Sequence, residues 1–456
     1  SASASTSASA SPTLSGSSPS PDLFDFSRGY NVPALDKWQQ SSLAVPPLLP
    51  ATSPPLASHE RGHSILASLL ADRAHHRGDP LLASCPSRTL ATAHRTGRLA
   101  LAESNEPTWL DPAQVERGQQ VYVKYFWSFH MSLLSVLLHG FVSARFSKVL
   151  VLSGYAKSYL ATYRRFRDTS SAIFVWMTKS VLDPAAEGRQ SITRVRVAHE
   201  WARRRSASVF HQAPDRDAVG EPLSQYDMAL VLVAFASISV DSLDREFSIQ
   251  LSDEDMEDLV ALWRWIGYLL GIEDDCNVAS SVARCVQVRS EFYALVPHMY
   301  RDVHETSSML SVSLSEGLAR YTILPKSFFE TLLWSVRRSW IDASWSKIDN
   351  PSHMCPVACD ALLANFAAVN RSPTSRRIAN TLWLTYIHIC HYQSAILNVV
   401  EERVVAPTKW LVGDVGYRAN LLLFEGIHRF IMCPLHQTTQ HQQHQQQHQQ
   451  ATPTRS

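Results

Sequence analysis

Apolar residues recur every three or four positions from about residue 112 to residue 431. Within 112–139, for example, they include Val121, Phe126, Phe129 and Leu133. This spacing puts such residues on one face of an α-helix, and no stretch alternates with a period of two for long enough to predict a strand. The sequence therefore predicts an all-α domain of about ten helices, without the fixed repeat of a helical solenoid.

Prolines, glycines and capping residues mark the ends of the predicted helices. The segments are 63–73, 112–139, 143–167, 168–181 (or one helix from 143 to 181), 190–205, 224–239, 252–272, 280–296, 300–316, 325–340, 357–370, 376–404 and 416–431. Asp168 or Thr169 is the predicted cap of the segment that begins at 168. Ser224 and Asp227 have capping-box spacing. Gly267 and Gly271 would allow a close helix crossing.

The two ends of the chain differ in composition from the rest. Residues 1–58 are mainly Ser, Ala and Pro, and residues 436–456 are mainly Gln and His. Both compositions offer too little apolar surface to offset the entropy of ordering, so we predict disordered tails around one helical domain at 60–435. The tail histidines are interpreted as repeat expansion rather than as a metal site.

Bulk charge and cysteine usage exclude several classes of function. Forty-two basic and forty-one acidic residues give a net charge of +1, which favours neither nucleic acid nor an anionic membrane surface. Seven cysteines without paired spacing indicate free thiols, and Cys355 with Cys359 does not complete a zinc site. The sequence contains no run of eighteen apolar residues, so it predicts no membrane-spanning helix.

The segment QSITRVRVAHEWARRR, residues 190–205, places one histidine on the apolar face of a helix. Ile192, Val195, His199 and Ala202 share this face. The flanking arginines are Arg194, Arg196, Arg203, Arg204 and Arg205. One interpretation is a core histidine that is hydrogen-bonded to a neighbouring helix, with arginines on a solvated face. The other is a haem-like pattern, in which the histidine is a ligand and the arginines bind an anionic group.

Arg165 and Thr169 form a polar pair on the apolar face of an earlier predicted helix. Arg165 and Thr169 share a helix face with Ile173 and Trp176. From the residues alone, this pair fits either a helix cap with a nearby ion pair or the polar side of a functional pocket.

Four motifs in order resemble those of the rubber-oxygenase family. They are RRFRDT (164–169), TRVRVAHEWARRR (193–205), DAVGEPLSQYDM (217–228) and LSDEDMEDLVALWRWIGYLLGI (251–272). This family includes the latex-clearing proteins of bacteria and the membrane-bound oxygenases of fungal meroterpenoid pathways. The resemblance covers about residues 75–275 and is clearest from 160 to 272.

The resemblance implies a b-type haem in a globin-like helical core. His199 would be the proximal iron ligand, and Arg196 and Arg203 would be further cofactor-binding residues. Arg165 and Thr169 would lie on the distal side, where dioxygen binds. The implied reaction is insertion of O2 across a double bond of an apolar, isoprenoid-like substrate, which would be cleaved to two carbonyl ends.

Two departures from the family pattern affect the expected chemistry. Asp168 stands where latex-clearing proteins can have a lysine that reaches the iron. The glutamate that serves as a base in those proteins has no counterpart, because no acidic residue occurs between Glu116 and Asp168. Asp168 is the candidate replacement; otherwise the reaction is a hydroxylation or a peroxidase-like oxidation.

Other functions stay open from the sequence. The alternative to an oxygenase is a non-catalytic helical haem sensor or interaction scaffold, whereas a di-iron oxidase, which needs Glu-x-x-His pairs on two helices of one bundle, is disfavoured. The low-complexity ends favour a fungal source. An intracellular or ER-associated location is favoured over secretion, with peripheral membrane association left open.

Overall fold

The computed structural model describes residues 106–140, 144–153, 159–212, 220–321 and 371–400. It also describes isolated positions at 65, 66, 69, 77–79, 82, 326, 329, 368, 403, 404 and 407. Within these ranges the regular structure is helical and no strand occurs, which confirms the all-α prediction. Both predicted disordered tails, the predicted helix 416–431 and the two cysteines at 355 and 359 lie outside the described residues. The predicted helices 325–340 and 357–370 are described only at positions 326, 329 and 368, all three of which are helical.

The helices follow the order of the predicted segments. They are α1 Pro112–Lys124, α2 Phe126–Gly140, α3 Ala144–Leu152, α4 Tyr159–Thr178, α5 Glu187–His211, α6 Gln225–Val233, a π-helical turn Ala234–Ile238, α7 Ser239–Phe247, α8 Asp253–Leu269, two 3-10 turns Asp274–Cys276 and Val278–Ser280, α9 Val282–Tyr321 and α10 Pro373–Val400.

The continuous stretch Gln225–Phe247, made of α6, the π-helical turn and α7, lies at the centre of the fold. Ser224 begins it through the predicted capping box, in which Asp227 N donates to Ser224 Oγ and Ser224 N donates to the Asp227 carboxylate. By length and composition alone this 23-residue stretch could cross a membrane. In the fold it is a core element, because 78% of its most apolar window is buried.

Three predicted helix boundaries were wrong. The segment 112–139 is two helices, because the backbone leaves helical geometry at Tyr125 (φ −114°, ψ 26°). No helix begins at 168, because α4 runs through this position and Thr169 Oγ1 donates inward to the Arg165 carbonyl at 2.9 Å instead of capping. Helix α9 continues through Pro297, with buried residues before and after it, so packing outweighs the lost backbone bond.

The predicted segment 63–73 is described at three positions. Leu66 and Leu69 are buried in the main hydrophobic core. The backbone N–H groups of Ile65 and Leu66 donate to the Glu291 carboxylate at 3.0 and 2.8 Å. These contacts attach the segment to α9.

Helices α1 and α8 pack at a glycine. Arg117 donates to both carboxylate oxygens of Asp258 at 2.9 Å, beside Gly118. A Cβ atom at Gly118 would lie 2.3 Å from the Asp258 carbonyl oxygen and 2.8 Å from Leu262 Cβ. At Gly267, a Cβ would meet Leu232 Cδ2, the end of a flexible side chain, at 2.8 Å. Gly271, the other glycine of the predicted crossing, lies beyond the end of α8.

Gly118→Ala is expected to destabilise the protein by about 1–3 kcal/mol, because the two helices must separate to admit the methyl group. Gly140→Ala is the matched control, because a Cβ there meets nothing within 4 Å. The control should change the free energy of unfolding by less than about 1 kcal/mol. Urea denaturation of the two variants measures the difference, and equal midpoints would refute the close packing.

Candidate active site

A cavity of about 500 Å³ lies among the helices α2 to α9. Its walls are mostly apolar, and they include Val136, Phe166, Ile173, Val195, Phe235 and Leu314. A volume of this size is in the range of pockets that hold a cofactor or a drug-sized ligand. The cavity is therefore the candidate active site.

His199 faces this cavity from the middle of α5. The apolar face predicted for this helix is observed, because Ile192 and Ala202 are buried and Val195 and His199 line the cavity. Among the described residues, none hydrogen-bonds the ring, and Nδ1 is buried without a partner. The described contacts therefore give no support to the interpretation as a core histidine that is hydrogen-bonded to a neighbouring helix.

The His199 ring is held in its neutral form. Burial, and next the positive charge of Arg165, lower the pKa of His199 to about 4, although Asp79 acts in the opposite direction. A neutral imidazole keeps a nitrogen lone pair, which is the form that binds a metal ion.

Arg165, Asp168 and Thr169 line the same cavity from α4. The predicted candidates of α4 are thus brought together with His199, although 30 or more positions separate them in sequence. Trp176 Nε1 donates to Ser191 Oγ at 3.1 Å and fixes α4 against α5. The predicted face is thus a wall of the cavity.

Asp168 is the most exposed of these side chains. About half of its side-chain surface (53%) is accessible, and it forms an ion pair with Arg167 in which Arg167 Nε donates to Oδ1 at 2.9 Å. Both hydrogen bonds from Arg167 fall on Oδ1, so Oδ2 is the oxygen through which Asp168 could act as a base.

The region where the family has its glutamate is helix α3. Phe146, Val149 and Leu150 of this helix line the cavity. Lys148 is buried beside them, and burial lowers its pKa to about 8, but it does not line the cavity. Helix α3 therefore contributes apolar wall and no carboxylate.

Two arginines that were predicted to bind the cofactor do not line the cavity. Arg196 is buried and pairs with Asp79 through Nε and Nη2, the latter at 2.7 Å, while its Nη1 donates to the Leu269 carbonyl at 3.2 Å. Arg203 donates to Glu200, which is buried, through Nε at 2.6 Å. In this structure both guanidinium groups bind protein carboxylates.

The segment 77–79 crosses over these arginines and was not predicted as part of the site. Gln225 N donates to the Arg77 carbonyl at 3.0 Å, and Gln225 Nε2 donates to the Gly271 carbonyl at 2.9 Å. Gly271 has φ +94° and lies against the Asp79 and Arg196 side chains, where a Cβ would come within 2.9 Å of the Asp79 carboxylate. In the sequence, the glycine and proline of residues 78–80 indicate only the end of a helix.

The π-helical turn is another feature that the sequence did not predict. It places Phe235 in the cavity wall, stacked on Trp263 with ring centroids 5.4 Å apart and an interplanar angle of 11°. Such turns are frequent at functional sites. A π-helical turn contains one more residue than a turn of α-helix, and the apolar sequence of this stretch does not indicate it.

One comparison with known proteins covers the part of the chain that contains the cavity. Residues 124–341 match the family model described as "ER-bound oxygenase mpaB/B'/Rubber oxygenase, catalytic domain". Residues 124–341 are thus similar to a rubber-oxygenase catalytic domain, and this similarity supports an oxidoreductase. The matched residues contain all of α2 to α9 and therefore the whole described cavity wall.

The family match begins and ends later than the resemblance in the sequence indicated, and residues 75–123 of that resemblance lie outside it. It continues to residue 341, whereas the motifs end near residue 275. A solved structure, "Structure of Latex Clearing Protein LCP in the closed state", is similar with a TM-score of 0.45 and 15% identity, over 74% of this chain and 86% of that chain. No curated protein matches the chain.

Proposed function

We propose that this rubber-oxygenase domain is a b-type haem-dependent oxygenase that cleaves or oxidises an apolar, isoprenoid-like substrate with O2. The observation that carries the proposal is the His199 ring, which lines a large apolar cavity and has no hydrogen bond to the described residues. In a domain of this family, such a ring is the expected place for an iron ligand.

The residues of the cavity fit a haem. With Nδ1 enclosed by protein, Nε2 of His199 is the nitrogen available to a ligand in the cavity. The ring needs no deprotonation at neutral pH, since burial already keeps it neutral. His199 would hold the iron, and the bound haem would supply dioxygen binding and redox chemistry.

The other lining residues would bind and orient the substrate. Aromatic and aliphatic side chains, among them Ile173, Trp176 and Phe235, exclude water and favour an apolar chain. These walls support an isoprenoid-like substrate without selecting one.

Of Arg165 and Thr169, Arg165 is the better hydrogen-bond donor to a molecule in the cavity. The hydroxyl proton of Thr169 is already donated to the Arg165 carbonyl at 2.9 Å, so Thr169 offers only lone pairs unless its side chain rotates. A guanidinium group donates several hydrogen bonds and can stabilise negative charge that develops on oxygen. We therefore assign the polar catalytic role mainly to Arg165, with Thr169 and Asp168 as further candidates.

Arg165→Gln is expected to lower kcat for oxygen consumption by about ten- to hundredfold, because a charged donor is replaced by a neutral one. The assay measures O2 uptake with a prenylated substrate. Arg205→Gln is the control, because Arg205 lies on α5, does not line the cavity and donates to the Leu152 carbonyl.

Mass spectrometry of the product tests the reaction type in the same assay. Two carbonyl fragments indicate cleavage, and a single product heavier by one oxygen atom indicates hydroxylation. Unchanged kcat in Arg165→Gln would exclude the role proposed for this residue. Absence of any O2 uptake by haem-loaded wild-type protein across prenylated substrates would contradict the proposed substrate class.

A further inference from the structure

Helix α5 carries five arginines in the stretch 194–205, and four of them have partners within the protein. Arg196 pairs with Asp79, and Arg203 and Arg204 pair with Glu200. Arg205 donates to the Leu152 carbonyl at 3.1 Å and lies over the Trp201 ring, with its guanidinium carbon 5.3 Å from the ring centroid. These four side chains hold the helix in place.

Arg194 is different from the other four. It has no hydrogen bond and no ion pair with any residue that the structure describes, and yet it lines the cavity. It is an exposed residue, unlike the buried Arg196 two positions later. Arg194 therefore lies where the cavity meets solvent, on the same helix and the same wall as His199.

The charge of the described cavity wall favours an anion. Two arginines, Arg165 and Arg194, line it, and the only carboxylate among the described lining residues is that of Asp168. Arg167, which is not a lining residue, already pairs with Asp168. The wall thus keeps an excess of positive charge beside apolar surface, a combination that suits a molecule with an apolar body and an acidic end.

We propose that Arg194 binds a carboxylate group of the molecule that occupies the cavity. This inference rests on the proposed function for the identity of the site. A carboxylate could come from an isoprenoid acid as substrate or from a propionate of the cofactor, and the planar guanidinium group pairs with either through two parallel hydrogen bonds. Because Arg194 is exposed and most of the wall is apolar, the carboxylate would lie at the mouth with the apolar part inside.

The first arm of the test measures binding of farnesoic acid and of methyl farnesoate to the purified full chain by tryptophan fluorescence. Arg194→Gln should weaken binding of the acid by about ten- to hundredfold and leave binding of the ester unchanged. Arg194→Lys should restore part of the affinity for the acid, since it keeps the charge. Arg205→Gln, a substitution on the same helix outside the cavity, should leave both affinities unchanged.

The second arm measures the rate at which haem leaves the loaded protein for an excess of apomyoglobin. A faster release from Arg194→Gln, without an effect on the acid, assigns the carboxylate to the cofactor. Loss of preference for the acid, with unchanged haem release, assigns it to the substrate. Either result supports the proposal, and unchanged behaviour in both arms overturns it. If wild-type protein binds no haem, the proposed function fails, whereas the first arm still decides the role of Arg194.

Discussion

His199→Ala protein is expected to fold and to retain no haem. The substitution removes the imidazole that faces the cavity and leaves the ion pairs of Arg196, Arg203 and Arg204 intact, so α5 keeps its attachments. Loss of the axial ligand removes the bond that we propose holds the iron. Absorption spectra measure haem retention, and circular dichroism checks that the helical content is unchanged.

The histidines near the C-terminus require a control. His441, His444 and His448 could bind haem without any role for the cavity. A chain that lacks residues 437–456 should keep the spectrum of the full chain. Unaltered haem binding by His199→Ala, together with its loss on truncation, would refute His199 as the ligand.

Arg196→Met is expected to lower the free energy of unfolding by about 3–5 kcal/mol, because it removes the guanidinium group that neutralises the buried Asp79 carboxylate. Only 7% of the Arg196 side chain and 11% of the Asp79 side chain are exposed. The same substitution also removes the hydrogen bond to the Leu269 carbonyl. Urea denaturation measures the change.

Two comparisons separate a buried pair from a general loss of packing. Lys124→Met breaks a more exposed pair with Asp255 and should cost less than about 1 kcal/mol. The double variant Arg196→Met with Asp79→Leu should recover much of the loss, because no buried charge is left. If Arg196→Met instead kept full stability and released haem, the cofactor-binding role predicted from the sequence would be correct.

The sequence predicted the presence of the described helices, because a helix depends on the local spacing of apolar residues. The periodic apolar residues placed α5 around His199 correctly, and the Ser224 cap was also correct. Boundaries that depend on tertiary packing were not readable. Tyr125 ends α1 and Pro297 does not end α9, although local preference alone favours the opposite in both cases.

The sequence predicted the site only in part, because part of the site also depends on contacts between distant segments. Face assignment correctly put His199 on the inner side of α5 and Arg165 with Thr169 on one side of α4. The helical spacing could not show which arginine of α5 lines the cavity. Arg196 is held away from the cavity by its pair with Asp79, which is 117 positions away in sequence. Arg194, which has no such partner in the described structure, was therefore indistinguishable from its neighbours.

The absorption spectrum of the purified wild-type chain, recorded as isolated and after addition of dithionite, tests the central claim most directly. A haem bound by His199 predicts a Soret band that shifts on reduction, with haem and protein in a one-to-one ratio. A chain that shows no Soret band as isolated, and that binds no added haem, would contradict the account.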